Sequence, residues 1–209
     1  MKIAVRNKPR MTFSAMCRYL SANPSEQFRI LRGQKFPESP VVNNYNNAVR
    51  QILDFAIHGN PLNPKRGNLK PHEMEVVSLL HANNWTIPTE GAIRPSIPQE
   101  KMVLSGVTLS ISPDLQLIGR DKKRRATGAM KFHFPKSYSL DDDVGRWMAA
   151  LLYVHQSEIL KDRLTSPHLC MVYDVRSDKI HRATGRYQSL MKHVSDACRM
   201  INSVWPSIV

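Results

Sequence analysis

Two alternating runs between residues 106 and 134 constrain this chain more than any other feature. In the first, Val107, Leu109, Ile111, Leu115 and Leu117 occupy odd positions, and Thr108, Ser110, Ser112, Asp114 and Gln116 occupy even ones. Side chains alternate across a strand, so the run predicts one apolar face and one polar face that carries Asp114. In the second, Met130, Phe132 and Phe134 share a face, while Thr127, Ala129, Lys131 and His133 share the other. Lys131 is therefore expected on the open side of a strand whose back is anchored in a core. Between the runs, residues 120–125 hold five bases, Arg120, Lys122, Lys123, Arg124 and Arg125, and one acid. So much like charge points to an anionic partner. A carboxylate strand, a basic loop and a lysine strand together predict a phosphodiester site.

Charge extends that reading to the whole chain. Its 209 residues hold 30 Lys and Arg against 17 Asp and Glu, a net charge of +13, which favours a polyanionic partner, DNA or RNA. Neither a long apolar run nor a basic amphipathic helix is present, so no membrane partner is expected. Residues 1–10 are basic and lack the apolar segment of a secretory signal. Cys17, Cys170 and Cys198 are odd in number and far apart, as in a cytoplasmic protein with reduced thiols. Each lies in an apolar stretch and is expected in the core.

The pattern predicts a basic helical region, 1–59, and an α/β domain, 71–209. Phe13, Met16, Cys17 and Leu20 outline a helix over 12–20, and Asn23-Pro24 predicts the capped start of a second over 25–32. Exposed Arg29, Arg32 and Lys35 would suit a helix-turn-helix-like contact with nucleic acid. A third helix is expected over 42–58, stopped by Gly59, and residues 60–70 read as a linker. Helix resumes at Pro71, with Glu73 and Glu75 on or beside its core side, and a proline-containing irregular run leads to the strands. After the lysine strand, Ser139 with Asp142 resembles a capping box, and Asp141, Asp142 and Asp143 place negative charge at a helix start. A buried strand over 169–175, a short strand over 179–183 and a helix over 187–205 complete the chain.

This order, with Ser112-Pro113-Asp114 and Gly128-Ala129-Met130-Lys131, resembles the PD-(D/E)xK (restriction-endonuclease-like) nuclease superfamily, whose core runs helix, three strands, helix, strand. The resemblance implies a mixed central sheet flanked by helices. Pro113-Asp114 matches the family's first motif and Lys131 its lysine. In that family a strand acid and the acid two residues before the lysine hold Mg2+, and the lysine helps activate water. The position two before Lys131 is Ala129, which has no oxygen to offer. Glu73 or Glu75 would stand in for the helical glutamate of many members. Tyr153 and Gln156 lie where some RecB-like members carry a tyrosine and a glutamine, at a different spacing.

Three functions follow as expectations. One is a nucleic-acid-binding protein on a degenerate nuclease scaffold, gripping phosphates through residues 120–125 and Lys136. Another is an active Mg2+-dependent nuclease using Asp114 as metal ligand, with Lys131 and Glu75. The last is an interaction subunit of a larger nucleoprotein or defence complex.

Overall fold

The computed structural model describes residues 5–37, 45–95, 100–136 and 140–209. It is a mixed α/β protein with two mixed sheets and, among the described residues, six α-helices. The main sheet contains β2 (Gly91–Ile93), β5 (Leu115–Asp121), β6 (Arg124–His133), β7 (Thr165–Asp174) and β8 (Lys179–Arg182), in the order β2-β5-β6-β7-β8. Only the β6–β7 pairing is parallel. A smaller sheet joins β1 (Arg10–Thr12), β4 (Val107–Ser110) and β3 (Met102–Leu104), in the order β1-β4-β3 with β1 parallel to β4.

The alternating run over 107–117 thus serves two sheets. Pro113 has no N–H to donate to a ladder, and the chain leaves β4 before it and enters β5 after it. Its odd positions remain core residues throughout: Val107, Leu109, Ile111, Leu115 and Leu117 are all buried.

Helices cover both faces of the main sheet. On one, α3 (Asn46–His58) and α4 (Pro71–Ala82) bury Ile52, Leu53, Val76, Val77 and Leu80 against Leu115, Leu117, Met130, Phe132, Met171 and Tyr173. On the other, α1 (Phe13–Ser21), α2 (Pro24–Lys35), α5 (Asp142–Val154) and α6 (Tyr187–Val204) share a core with Cys170 and Val172. Burial of apolar area at about 25 cal/mol per Å2 supplies the driving force for both layers. All three cysteines are free and buried, as expected.

Several boundaries differ from the sequence reading. The basic N-terminal region contacts the later segments: β1 hydrogen-bonds to β4, and α1 packs on α5 within one core. The expected linker contributes buried Leu62 to the α3–α4 core. Helix α3 begins at Asn46, and residues 42–44 lie outside the described residues. Ser139 also lies outside them. The observed cap of α5 is Asp141, whose Oδ1 accepts the Val144 N–H at 2.7 Å. Of the other two acids in the triplet, Asp142 pairs with Lys179 and Asp143 with Arg146. A π-helical turn, His155–Ile159, extends α5.

Candidate nucleic-acid interface

Asp114 and Lys131 meet. Asp114 precedes β5 and its N–H donates to the Met130 carbonyl at 2.8 Å, which fixes the strand end against β6. From there Lys131 Nζ donates to Asp114 Oδ1 at 2.6 Å, and the Phe132 N–H donates to Oδ2 at 2.8 Å. The pair is mostly covered, with side-chain exposures of 9 % for Asp114 and 19 % for Lys131. Lys131 is not on an open face, as its alternation had implied. It stands beside Val172 of β7, on the face packed by α1 and α5. Burial pushes the Cys17 thiol of α1 well above its ordinary range, and the nearby Lys131 charge opposes that shift.

The other acids expected at this site are elsewhere. Glu75 is on α4, on the opposite face of the sheet, and its carboxylate pairs with Arg176 Nη1 at 2.5 Å and Lys136 Nζ at 2.6 Å. Those two cations, Lys136 first, hold the Glu75 carboxyl below its ordinary range. Lys136, expected as a phosphate contact, is thereby engaged. Glu73 is fully buried and structural. It accepts the backbone N–H groups of Asn47 at 2.8 Å and Lys70 at 3.0 Å, at the starts of α3 and α4. Burial pushes its pKa up, but these hydrogen bonds outweigh burial and hold it below 4.5.

These residues do not fit a magnesium ion. Both Asp114 oxygens already accept hydrogen bonds, Ala129 is wholly buried without an oxygen donor, and Glu75 is neutralised across the sheet. No group of three acidic, histidine or cysteine ligands occurs among the described residues. Tyr153 packs edge-on against Tyr187, and Gln156 is buried in the π-helical turn.

The basic segment forms a separate feature. Arg120 pairs in register with Arg125 and Asp121 with Arg124, leaving Lys122 and Lys123 as a two-residue turn. Both lysines have positive φ, 46° and 71°, which defines a hairpin turn that normally favours Asn and Gly. The tip is exposed and strongly positive. Arg120 lies 3.1 Å from Glu90, and Asp121 accepts from Ser166 Oγ at 2.7 Å. At roughly 3.4 Å per residue, the eight steps from Asp114 along β5 to Lys122 separate this tip from Asp114 by about 27 Å. Hairpin and acid–lysine pair are therefore two sites.

The N-terminal cations are partly committed. Lys35 Nζ donates to the carbonyls of Trp205 at 2.9 Å and Ile208 at 2.8 Å, so it ties α2 to the C-terminal turn. Arg29 pairs with Glu26 at 2.6 Å. Arg32 is exposed beside a hollow that it shares with Arg18 and Arg29. Two arginines beside Asp114 escaped the sequence reading: Arg50 of α3 and Arg94 after β2 line a hollow with Pro113 and Asp114. Arg50 lies in an ordinary helical pattern and Arg94 in an irregular run, so no local motif marked either.

No family model matches the chain, and no curated protein or solved structure matches it. No helix of the described residues is long and apolar enough to cross a membrane.

Proposed function

We propose that this chain is a nucleic-acid-binding protein of the cytoplasm, built on a degenerate PD-(D/E)xK nuclease-like scaffold. The observation that carries the reading is the Asp114–Lys131 pair on adjacent strands, with buried Ala129 where a second acid would stand. The element order supports the scaffold: α4, the main-sheet strands β2, β5 and β6, then α5 and β7, with β3 and β4 inserted as part of the smaller sheet. Lys131 neutralises Asp114, so the carboxylate serves the fold in place of a metal. Phosphate contact falls to the hairpin, where Lys122, Lys123, Arg124 and Arg125 are exposed. Counterions released from a phosphate backbone would drive that contact. An active nuclease would need a second carboxylate beside Asp114, and Glu75 does not supply it.

The test is a gel-shift and cleavage assay on labelled single- and double-stranded DNA and RNA, with Mg2+ or EDTA. The wild type should bind in a salt-sensitive way without cutting. Replacing Lys122, Lys123, Arg124 and Arg125 by serine should lower the slope of log affinity against log salt on duplex by about 3 to 4, at about 0.9 per phosphate contact. Metal-dependent cleavage lost in Asp114→Ala would overturn the binding-only reading, and absence of binding to all four probes would overturn the nucleic-acid reading.

A further inference from the structure

A second basic surface lies along α3, and nothing in the hairpin accounts for it. A hollow of about 370 Å3 is lined by Arg50, His58, Arg66, Asn68 and Arg94, with Asp54 as its one acid among the described residues. A second hollow, about 240 Å3, shares Arg50, Leu53 and Arg94 with the first and reaches Pro113 and Asp114. The shared residues place the two side by side between the 60–70 segment and the strand end that carries Asp114, and together they are termed the α3 groove.

Its charge is unbalanced. Asp54 lies 3.8 Å from Arg66, while Arg50 and Arg94 are exposed and have no acidic partner among the described residues. Like cations brought together without counter-charge repel one another, and a phosphate relieves that repulsion. Guanidinium suits this role better than ammonium, because its planar fork grips two phosphate oxygens at once.

Shape selects among phosphate-bearing ligands. Arg50 on α3, Arg66 in the 60–70 segment and Arg94 after β2 line these hollows from three separate segments, so together they can meet more than one phosphate. The hollows are small, about 370 and 240 Å3, and a duplex is too stiff to bend its backbone into them. A single strand fits, as in other basic grooves that track one backbone.

We propose that the α3 groove binds single-stranded nucleic acid through phosphate contacts to Arg50, Arg66 and Arg94, separately from the hairpin. This rests on the nucleic-acid reading above and adds a strand-selective site to it. The groove and the hairpin then make different demands: the hairpin grips either form, while the groove takes only the single strand.

The experiment is fluorescence anisotropy of the full chain with a labelled 12-residue single strand and with its duplex, across a salt series. The variants are Arg50→Ala with Arg94→Ala, the same pair changed to Lys, and the four-serine hairpin variant, each checked for an unchanged melting temperature. The alanine pair should weaken single-strand binding at least 10-fold and reduce the salt slope by about 1.4, at about 0.7 per contact. It should change duplex binding less than 2-fold, and the lysine pair should restore the slope. Unchanged single-strand binding by the alanine pair, with binding lost in the hairpin variant, overturns the groove and leaves the hairpin reading standing. An equal loss on duplex overturns strand selectivity. Competition by a mononucleotide as tight as the strand itself overturns the extended ligand. A wild type that binds neither probe overturns the groove together with the reading beneath it.

Discussion

Asp114, just before β5, and Lys131 of the adjacent β6 form an ion pair whose two side chains are mostly covered by the surrounding protein. Breaking such a pair leaves one mostly covered charge without its partner. Lys131→Ala should therefore cost about 3 kcal/mol in urea unfolding, and Asp114→Ala a similar amount. Changing both, to Leu and Met, should cost less than the sum of the single changes, because no orphan charge remains. Strict additivity would mean that the pair is screened and carries no joint energy.

The hairpin tip offers a trade between stability and binding. Lysines at positive φ each cost of order 1 kcal/mol relative to residues suited to the turn. Lys122→Asn with Lys123→Gly should raise the melting temperature while weakening duplex affinity several-fold. A variant no more stable than wild type would show that the turn holds no strain.

Acid should loosen the start of α3. The folded pKa of Glu73 is depressed, so its contribution is fully present above the unfolded value near 4.5 and lost as pH falls through the lower folded value. Glu73→Gln should destabilise by about 2 kcal/mol at pH 7, since two helix starts lose a charged acceptor. Its stability should then fall less steeply than the wild type's below pH 4.5. Parallel curves in that window would assign the acid sensitivity to other carboxylates.

Gly128 should tolerate no side chain. A Cβ there would lie 2.1 Å from the Leu169 carbonyl oxygen, where the register of β6 against β7 slips between Thr127 and Ala129. Backbone cannot give way as a flexible side chain can. Gly128→Ala should lose more than about 3 kcal/mol, or fail to yield folded protein, by circular dichroism and thermal melting.

How far the sequence carried the fold depended on whether the signal was local. Helices with an apolar stripe and a stop, such as Asn46–His58 before Gly59, were legible because period and cap both lie within the segment. Asn23 and Pro24 likewise set the start of α2 from their own chemistry. Strands β1, β2 and β3 were missed, since three residues contain too little alternation to register and are strands only through their partners. The Asp114–Lys131 contact was readable as two residues on polar faces, but its covering was not, because α1 beside Lys131 and α3 beside Asp114 both come from far earlier in the chain. Glu75 looked available from its helix and proved to face the other layer, a matter of sheet topology. Arg50 and Arg94 come together only when α3 lies beside the end of β2.

The parallel pairing of β1 with β4 sets the timing of folding during synthesis. Arg10 must wait for Thr108, about a hundred residues later, and at about 5–20 residues per second the first strand emerges several seconds or more before its partner exists. Helix α1 waits longer still, since Met16 and Cys17 are buried in a core completed by α5 and α6. Until those partners are made, the nascent chain carries an unpaired strand edge and an uncovered apolar helix face, surfaces that invite wrong pairing and aggregation.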